Sequence, residues 1–363
     1  MPMLCVRDFE VEARQRLDPA VYDFYAGGAD DEVTLRANET AFTRIGLLPR
    51  VLRGAGMPEL GLYLLGCDVA LPVLIAPTAF QRLAHLEGEC ATARAAAHCN
   101  TIMIVSMAAT VAIEEVCAAG SRGDLSTESA CWLQLYIQPD LGFTEAIVRR
   151  AEAAGCKALV VSVDSPTFGR RERDLRHGFA SLPDGMFCEN LREPRRSEQP
   201  GRVRSIVFSP ELSWTHVEWL RKLTTLPILL KGVVRPDDAR LAIERGVDGL
   251  VVSNHGGRQL DTVPPAIDLL PAIAHTVAGR VPIVLDGGVR RGTDIVKAVA
   301  LGASAVAIGR PVLWALAVSG SEGVVQLLQL LQSELEHALI LCGCGRLSDL
   351  DRSFVRALHS EMG

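Results

Sequence analysis

Chemistry concentrates in one short stretch, Gly249-Leu250-Val251-Val252-Ser253-Asn254-His255-Gly256-Gly257-Arg258-Gln259-Leu260-Asp261. Its apolar opening, bounded by glycine, predicts a buried strand, after which the chain breaks into a polar loop. A histidine at the C-terminal end of a strand can act as a general base near neutral pH. An arginine three residues on can clamp a carboxylate through two parallel hydrogen bonds, and the glycines let backbone and ligand approach closely. An isolated histidine and arginine after a strand more often just cap a loop, so the rest of the chain decides.

From residue 73 a beat sets in of short apolar run, polar or glycine-bearing stop, then helical stretch. The runs are Val73–Ala76, Thr101–Val105, Trp132–Ile137, Ala158–Val163, Pro227–Leu230, Gly249–Val252, Pro282–Leu285 and Ala305–Ile308. Amphipathic helices are predicted between most of them, at Glu87–Cys99, Phe143–Ala154, Arg235–Arg245 and Gly292–Leu301. Eight such repeats in roughly 250 residues predict an α/β fold of the TIM (β/α)8 barrel type, with reactive groups at the strands' C-terminal ends.

Every run ends in polar or glycine-bearing residues: Pro77-Thr78-Ala79, then Ser106, Gln134 with Tyr136, Ser162 with Asp164, Lys231, Ser253 with His255, Asp286-Gly287-Gly288-Val289-Arg290, and Gly309-Arg310. A barrel brings all of these to one rim, where a single elongated ligand can touch them. The glycines and arginines after the seventh and eighth runs have the form of a TIM-barrel phosphate site, with backbone N–H groups cradling the anion. Each residue also has a duller role open to it, satisfying strand ends or filling the barrel mouth.

The run Ser253-Asn-His-Gly-Gly-Arg-Gln259 resembles the signature of the FMN-dependent 2-hydroxy acid oxidases, the family of glycolate oxidase and the long-chain hydroxy acid oxidases, and the resemblance extends from about Val6 to Arg356. It implies FMN across the barrel mouth. The phosphate then falls on Gly287, Gly288, Arg290, Gly309 and Arg310, with Asp286 and Ser253 alongside. The ring falls over Pro77, Thr78 and Ala79, its edge on Ser106, Gln134 and Ser162, and Lys231 beside the negative charge of the reduced ring. On the substrate side it implies Arg171 and Arg258 on the carboxylate, Tyr136 on the hydroxyl and His255 as base, with Asp164 orienting the imidazole. Two positions depart from the glycolate oxidase pattern: Phe24 replaces a tyrosine and Ala108 a tryptophan. Both changes favour a larger, more apolar pocket and a medium- or long-chain substrate, unless a neighbour such as Tyr25 or Met107 refills the space.

The resemblance further implies oxygen as co-substrate, hydrogen peroxide as product, a role in fatty acid metabolism, a homotetramer or octamer, and a peroxisomal address. The final residues, Ser360-Glu361-Met362-Gly363, are not a Ser-Lys-Leu-type signal. Three alternatives stay open: a lactate- or mandelate-type dehydrogenase of the same family with another electron acceptor, a phosphate-binding barrel such as a nucleotide dehydrogenase, and a non-catalytic FMN-binding barrel.

The 363 residues carry 48% hydrophobic and 22% charged residues, enough for one large core, and their net charge of -6 gives no sign of nucleic-acid binding. Ten cysteines without CxxC pairs read as reduced thiols, and Cys342-Gly-Cys344 alone is half a zinc site, so no metal is expected. No apolar run is expected to reach the roughly 20 residues that span a bilayer. A single domain is predicted, with an N-terminal helical segment over 1–70, the barrel over 71–320 and a C-terminal helix and tail over 321–363. The arginine-, proline- and glycine-rich interval Arg170–Pro210 after the fourth run reads as a lid over the catalytic rim. Cys117–Ala130 reads as a surface loop, and Gly323–Leu341 as an amphipathic helix docked on the barrel.

Overall fold

The computed structural model describes residues 2–121, 130–179, 181–193 and 201–358. Eight parallel strands form a closed barrel: β1 (Val73–Ile75), β2 (Met103–Val105), β3 (Cys131–Leu135), β4 (Leu159–Ser162), β5 (Ile228–Val233), β6 (Gly249–Val252), β7 (Ile283–Asp286) and β8 (Ala305–Ile308). Each pairs with the next and β8 returns to β1. All eight expected runs are present, two with the expected bounds and the others with ends shifted by up to three residues. The largest changes are at β3, which stops before Tyr136, and β5, which continues through Lys231 to a bulge ahead of Val233.

The two-residue period of a strand explains where the polar groups stand. Leu74, Ile104, Trp132, Val160, Leu229, Val251, Val284 and Ala305 belong to one buried cluster filling the barrel. Two residues further along four of these strands come Gln134, Ser162, Lys231 and Asp286, with Ser106 and Ser253 in the same phase just beyond β2 and β6. They share the inward face but lie at the C-terminal end, so the apolar core gives way there to a polar layer. Intervening residues such as Val105, Leu133, Val161, Leu250 and Leu285 belong to the second cluster, which joins strands to helices.

Three helices precede the barrel: α1 (Val6–Arg16), α2 (Pro19–Ala26) and α3 (Val33–Thr43). The start of α3 carries no side-chain cap of its own. Instead the Asp261 carboxylate accepts from Val33 N at 3.1 Å and Thr34 N at 2.8 Å, which ties α3 to the loop after β6. The helix expected at Gly323–Leu341 is part of a longer one, Arg310–Cys342, broken at Ser319 and Gly320. By length and composition it could cross a membrane, which corrects the expectation that no run is so apolar. Most of its apolar surface is buried in the molecule, against α1 and the helices Gly88–His98 and Gly292–Ala300.

The interval Arg170–Pro210 is less irregular than its composition suggests. It contains a helix at Glu172–His177, a 3-10 turn at Glu189–Leu191 and a bridge between Arg192 and Val203. Its residues 180 and 194–200 lie outside the described residues, as do 122–129 of the expected surface loop and the terminal Ser360–Gly363.

Asp261→Ala should cost about 1 kcal/mol, within roughly 0.5 to 2, because two N–H groups of α3 lose their acceptor. Denaturant titration checks this; an unchanged midpoint would mean that water replaces the carboxylate without loss.

Candidate active site

The C-terminal rim opens into a cavity of about 1130 Å³, lined by both the polar layer and the β4–β5 connection. His255 lines it in a left-handed conformation, φ 59°, unusual for a residue with a side chain. Its N–H donates to Ser253 Oγ at 3.0 Å, and its Nδ1 lies 2.9 and 3.0 Å from the two oxygens of Asp164. That carboxylate fixes the tautomer with hydrogen on Nδ1, leaving the Nε2 lone pair 3.5 Å from the Tyr136 hydroxyl. Burial alone would raise the pKa of Asp164, but the His255 contact and Lys231 hold it below the usual carboxylate range. Burial and the same carboxylate push the Tyr136 phenol up to about 12, so Tyr136 is a donor at neutral pH.

Ser253 is a hub. Its Oγ accepts from His255 N and from Lys231 Nζ at 3.1 Å, and donates to Asp286 Oδ2 at 2.8 Å. This engages its hydroxyl with three protein groups at once. Lys231 also meets Asp286 at 3.1 Å. Burial opposes its charge, but Asp286 and Asp164 outweigh that and hold its pKa above the usual lysine value. Beside it Gln134 bridges Ser106 at 3.3 Å and Ser162 at 3.1 Å.

The glycine cradle has the geometry that an anion needs. Gly287 and Gly288 have φ of 117° and 83°, and a Cβ on Gly288 would lie 2.1 Å from the Asn38 carbonyl oxygen. A Cβ on Gly309 would meet only Thr78 and Ala76 side chains, at 3.4 and 3.7 Å. Nothing in the protein demands glycine there, and a bare backbone suits close approach by a ligand. Gly309 also caps Arg310–Cys342, so the positive end of that helix dipole lies at the cradle. Thr78, Ala79, Pro77 and Gly309 all line the cavity, and these residues fit a phosphate-bearing cofactor.

Several expected ligand residues already have protein partners. Arg310 donates through Nε to the carbonyls of Tyr25 and Ala26 at 3.0 and 3.2 Å, and through Nη2 to Gly27 at 2.8 Å. Burial and the nearby Arg290 lower its pKa to about 10. Arg290 pairs with Glu39 at 2.8 Å and lies over Trp314. Arg258 Nη1 donates to the carbonyls of Phe24 and Gly27 at 2.8 and 2.9 Å, which leaves its Nε and Nη2 edge, rather than the whole fork, for a carboxylate. Arg171 lies over Phe24 and Phe168 and pairs with Asp174 at 2.7 Å.

Aromatic rings complete the wall: Phe24 packs on Phe80, Phe179 and Tyr25, while Phe168 packs on Phe208, which meets Tyr136 edge-on. Ala108, itself buried, lines the same cavity. The Tyr25 hydroxyl donates to the Phe80 carbonyl at 2.7 Å, and Met107 is fully buried with its sulfur accepting from Tyr136 N. Phe80, Phe208 and Asp174 were not singled out from the sequence. Only Asp174 carried a signal, standing three residues after Arg171 at a helical spacing.

The chain matches the family model described as FMN-dependent dehydrogenase over residues 13–357. It is 47% identical to an L-lactate oxidase of Nostoc sp. over 96% of each chain. It is 46% identical to a peroxisomal (S)-2-hydroxyacid oxidase of Arabidopsis thaliana, over 98% of this chain and 97% of the other. A crystal structure of mandelate oxidase with 3,3-difluoro-2-hydroxy-3-phenylpropionic acid superposes with a TM-score of 0.88 at 42% identity, covering 97% of this chain and 98% of that one. A flavin-bearing barrel with a histidine–carboxylate pair at its mouth is thus the class to which fold and site point. The chain belongs to the FMN-dependent dehydrogenase family, among the relatives named 2-hydroxy acid oxidases.

Gly288→Ala should destabilise the protein by more than about 1 kcal/mol, since a left-handed φ and a carbonyl contact both resist a methyl group. Denaturation and the flavin absorbance of the purified protein read the result. Normal stability with normal flavin content would show that the loop relaxes freely.

Proposed function

We propose that this protein oxidises a 2-hydroxy acid with an apolar, medium- or long-chain side chain to the 2-oxo acid. The observation that carries this reading is the imidazole that Asp164 holds through Nδ1, its Nε2 facing Tyr136, in a cavity lined by aromatic rings and by Ala108. FMN, when bound, accepts the two electrons and returns them to oxygen, giving hydrogen peroxide.

The free edge of Arg258, with Arg171 nearby, orients the substrate carboxylate. Tyr136 donates to the hydroxyl oxygen. His255 Nε2 takes the proton released as the carbinol becomes a carbonyl, and Asp164 stabilises the imidazolium that results. Lys231 supplies positive charge at the polar layer, where negative charge accumulates on reduction. Gly287, Gly288, Arg290, Gly309 and Arg310 would hold the cofactor phosphate. The connection Arg170–Pro210 excludes water as a lid. Assembly into a homo-oligomer and a peroxisomal address belong to the same proposal.

Phe24 offers a substrate no hydroxyl, a cost of about 0.5 to 1.5 kcal/mol for every substrate. Each methylene buried against the rings returns up to ~0.8 kcal/mol. Two or three methylenes therefore outweigh the loss, whereas glycolate gains nothing.

His255→Gln should retain FMN and lose turnover by at least about 10²- to 10⁴-fold. A variant keeping more than about a tenth of the rate would place the base elsewhere. Across a side-by-side series, kcat/KM should rise from glycolate through 2-hydroxybutyrate to 2-hydroxyoctanoate, and Ala108→Trp should suppress the long substrates selectively. Glycolate as the best substrate would refute the chain-length assignment while leaving the oxidation itself intact.

A further inference from the structure

Two cations lining the cavity stand beside a carboxylate, Lys231 with Asp286 and Arg171 with Asp174. Among the described residues Arg258 has no carboxylate within 4.0 Å, and the hydrogen bonds it makes are to backbone carbonyls. Arg171 and Arg258 share the Phe24 ring, at 5.3 and 5.2 Å from its centroid, and Arg258 feels the charge of Arg171. Together they carry two positive charges, and Asp174 cancels one.

Asp174 lines the cavity and is 6% exposed, yet neither of its oxygens makes a well-directed hydrogen bond. Its contact with Arg171 Nε is close, at 2.7 Å, but poorly aligned, so it works as a neutralising charge more than as a directed bond. Burial raises its pKa despite the arginine beside it. A carboxylate buried with so little hydrogen-bonding compensation is costly, and a purely structural role does not require one at the cavity wall.

We propose that Asp174 sets the charge class of the substrate: by neutralising Arg171 it leaves the arginine pair with one net positive charge, matched to a monocarboxylate, and it repels a second carboxylate on the ligand. The inference rests on the reading that 2-hydroxy acids bind beside His255. A like charge a few ångströms away in a partly buried site is worth about one to two orders of magnitude in an equilibrium constant.

The test uses two probes that cannot be oxidised because they lack an α-hydrogen, 2-hydroxy-2-methylbutanoate and 2-hydroxy-2-methylbutanedioate, with binding to the FMN-loaded protein read from flavin absorbance. The wild type should strongly prefer the monoanion. Asp174→Asn should narrow that preference at least about ten-fold, and Asp174→Glu should keep it. If the asparagine variant does not fold, Asp174→Ser removes the same charge. An unchanged preference in the uncharged variant, or a wild type that binds both probes equally, would overturn the inference. Failure of the wild type to bind either probe would instead overturn the underlying reading, and the inference with it.

Discussion

A charge buried in the mouth of a barrel needs an opposite charge or a set of backbone carbonyls beside it, and the arrangement of this site follows from that constraint. The polar layer that caps the apolar barrel contains Lys231, which persists at 3% exposure because Asp286 lies 3.1 Å away. Asp164 stays ionised in turn because His255 and Lys231 stand near it. The imidazole is thereby oriented by the same pairing that makes its burial affordable. Ser253 couples the two pairs by contacting Lys231, Asp286 and the backbone of His255 at once.

Precision at the rim also depends on an element outside the barrel. Helix α3 receives its N-terminal cap from Asp261, and its Asn38 exchanges two side-chain hydrogen bonds, at 2.8 and 2.9 Å, with Asn254, the neighbour of His255. Its backbone lies directly against Gly288, and its Glu39 pairs with Arg290. The loop carrying the histidine and the loop carrying the glycine cradle are therefore braced by one helix. Such bracing supports the left-handed conformation of His255, which local preference alone disfavours.

The barrel was legible because each strand is an apolar run bounded by glycine or polar residues, and the rim residues because a TIM barrel places strand ends together. The gathering of Ser106, Gln134, Ser162, Lys231 and Asp286 into one polar layer follows from strand phase, which is legible in the runs. Pairings between residues far apart in the chain were not legible: Asp261 with α3, Asn38 with Asn254, Glu39 with Arg290. Nothing local marks such partners, since complementarity arises only when the chain closes. Arg310 and Arg258 show the same limit. Their positions were foreseen, yet their hold on the carbonyls at the end of α2 was not. The apolar length of Arg310–Cys342 was underestimated because glycine and serine interrupt it near residue 320, where the helix is in fact broken.

The account joins cofactor, base and pocket in one claim, that a 2-hydroxy acid bound at His255 delivers two electrons to FMN. The most direct measurement mixes the FMN-loaded protein anaerobically with 2-hydroxyoctanoate and follows flavin absorbance together with product. The account predicts complete bleaching with one 2-oxooctanoate formed per flavin, then recovery of the oxidised spectrum with one hydrogen peroxide when oxygen is admitted. Flavin that remains oxidised under saturating 2-hydroxy acids, whatever their chain length, would contradict it.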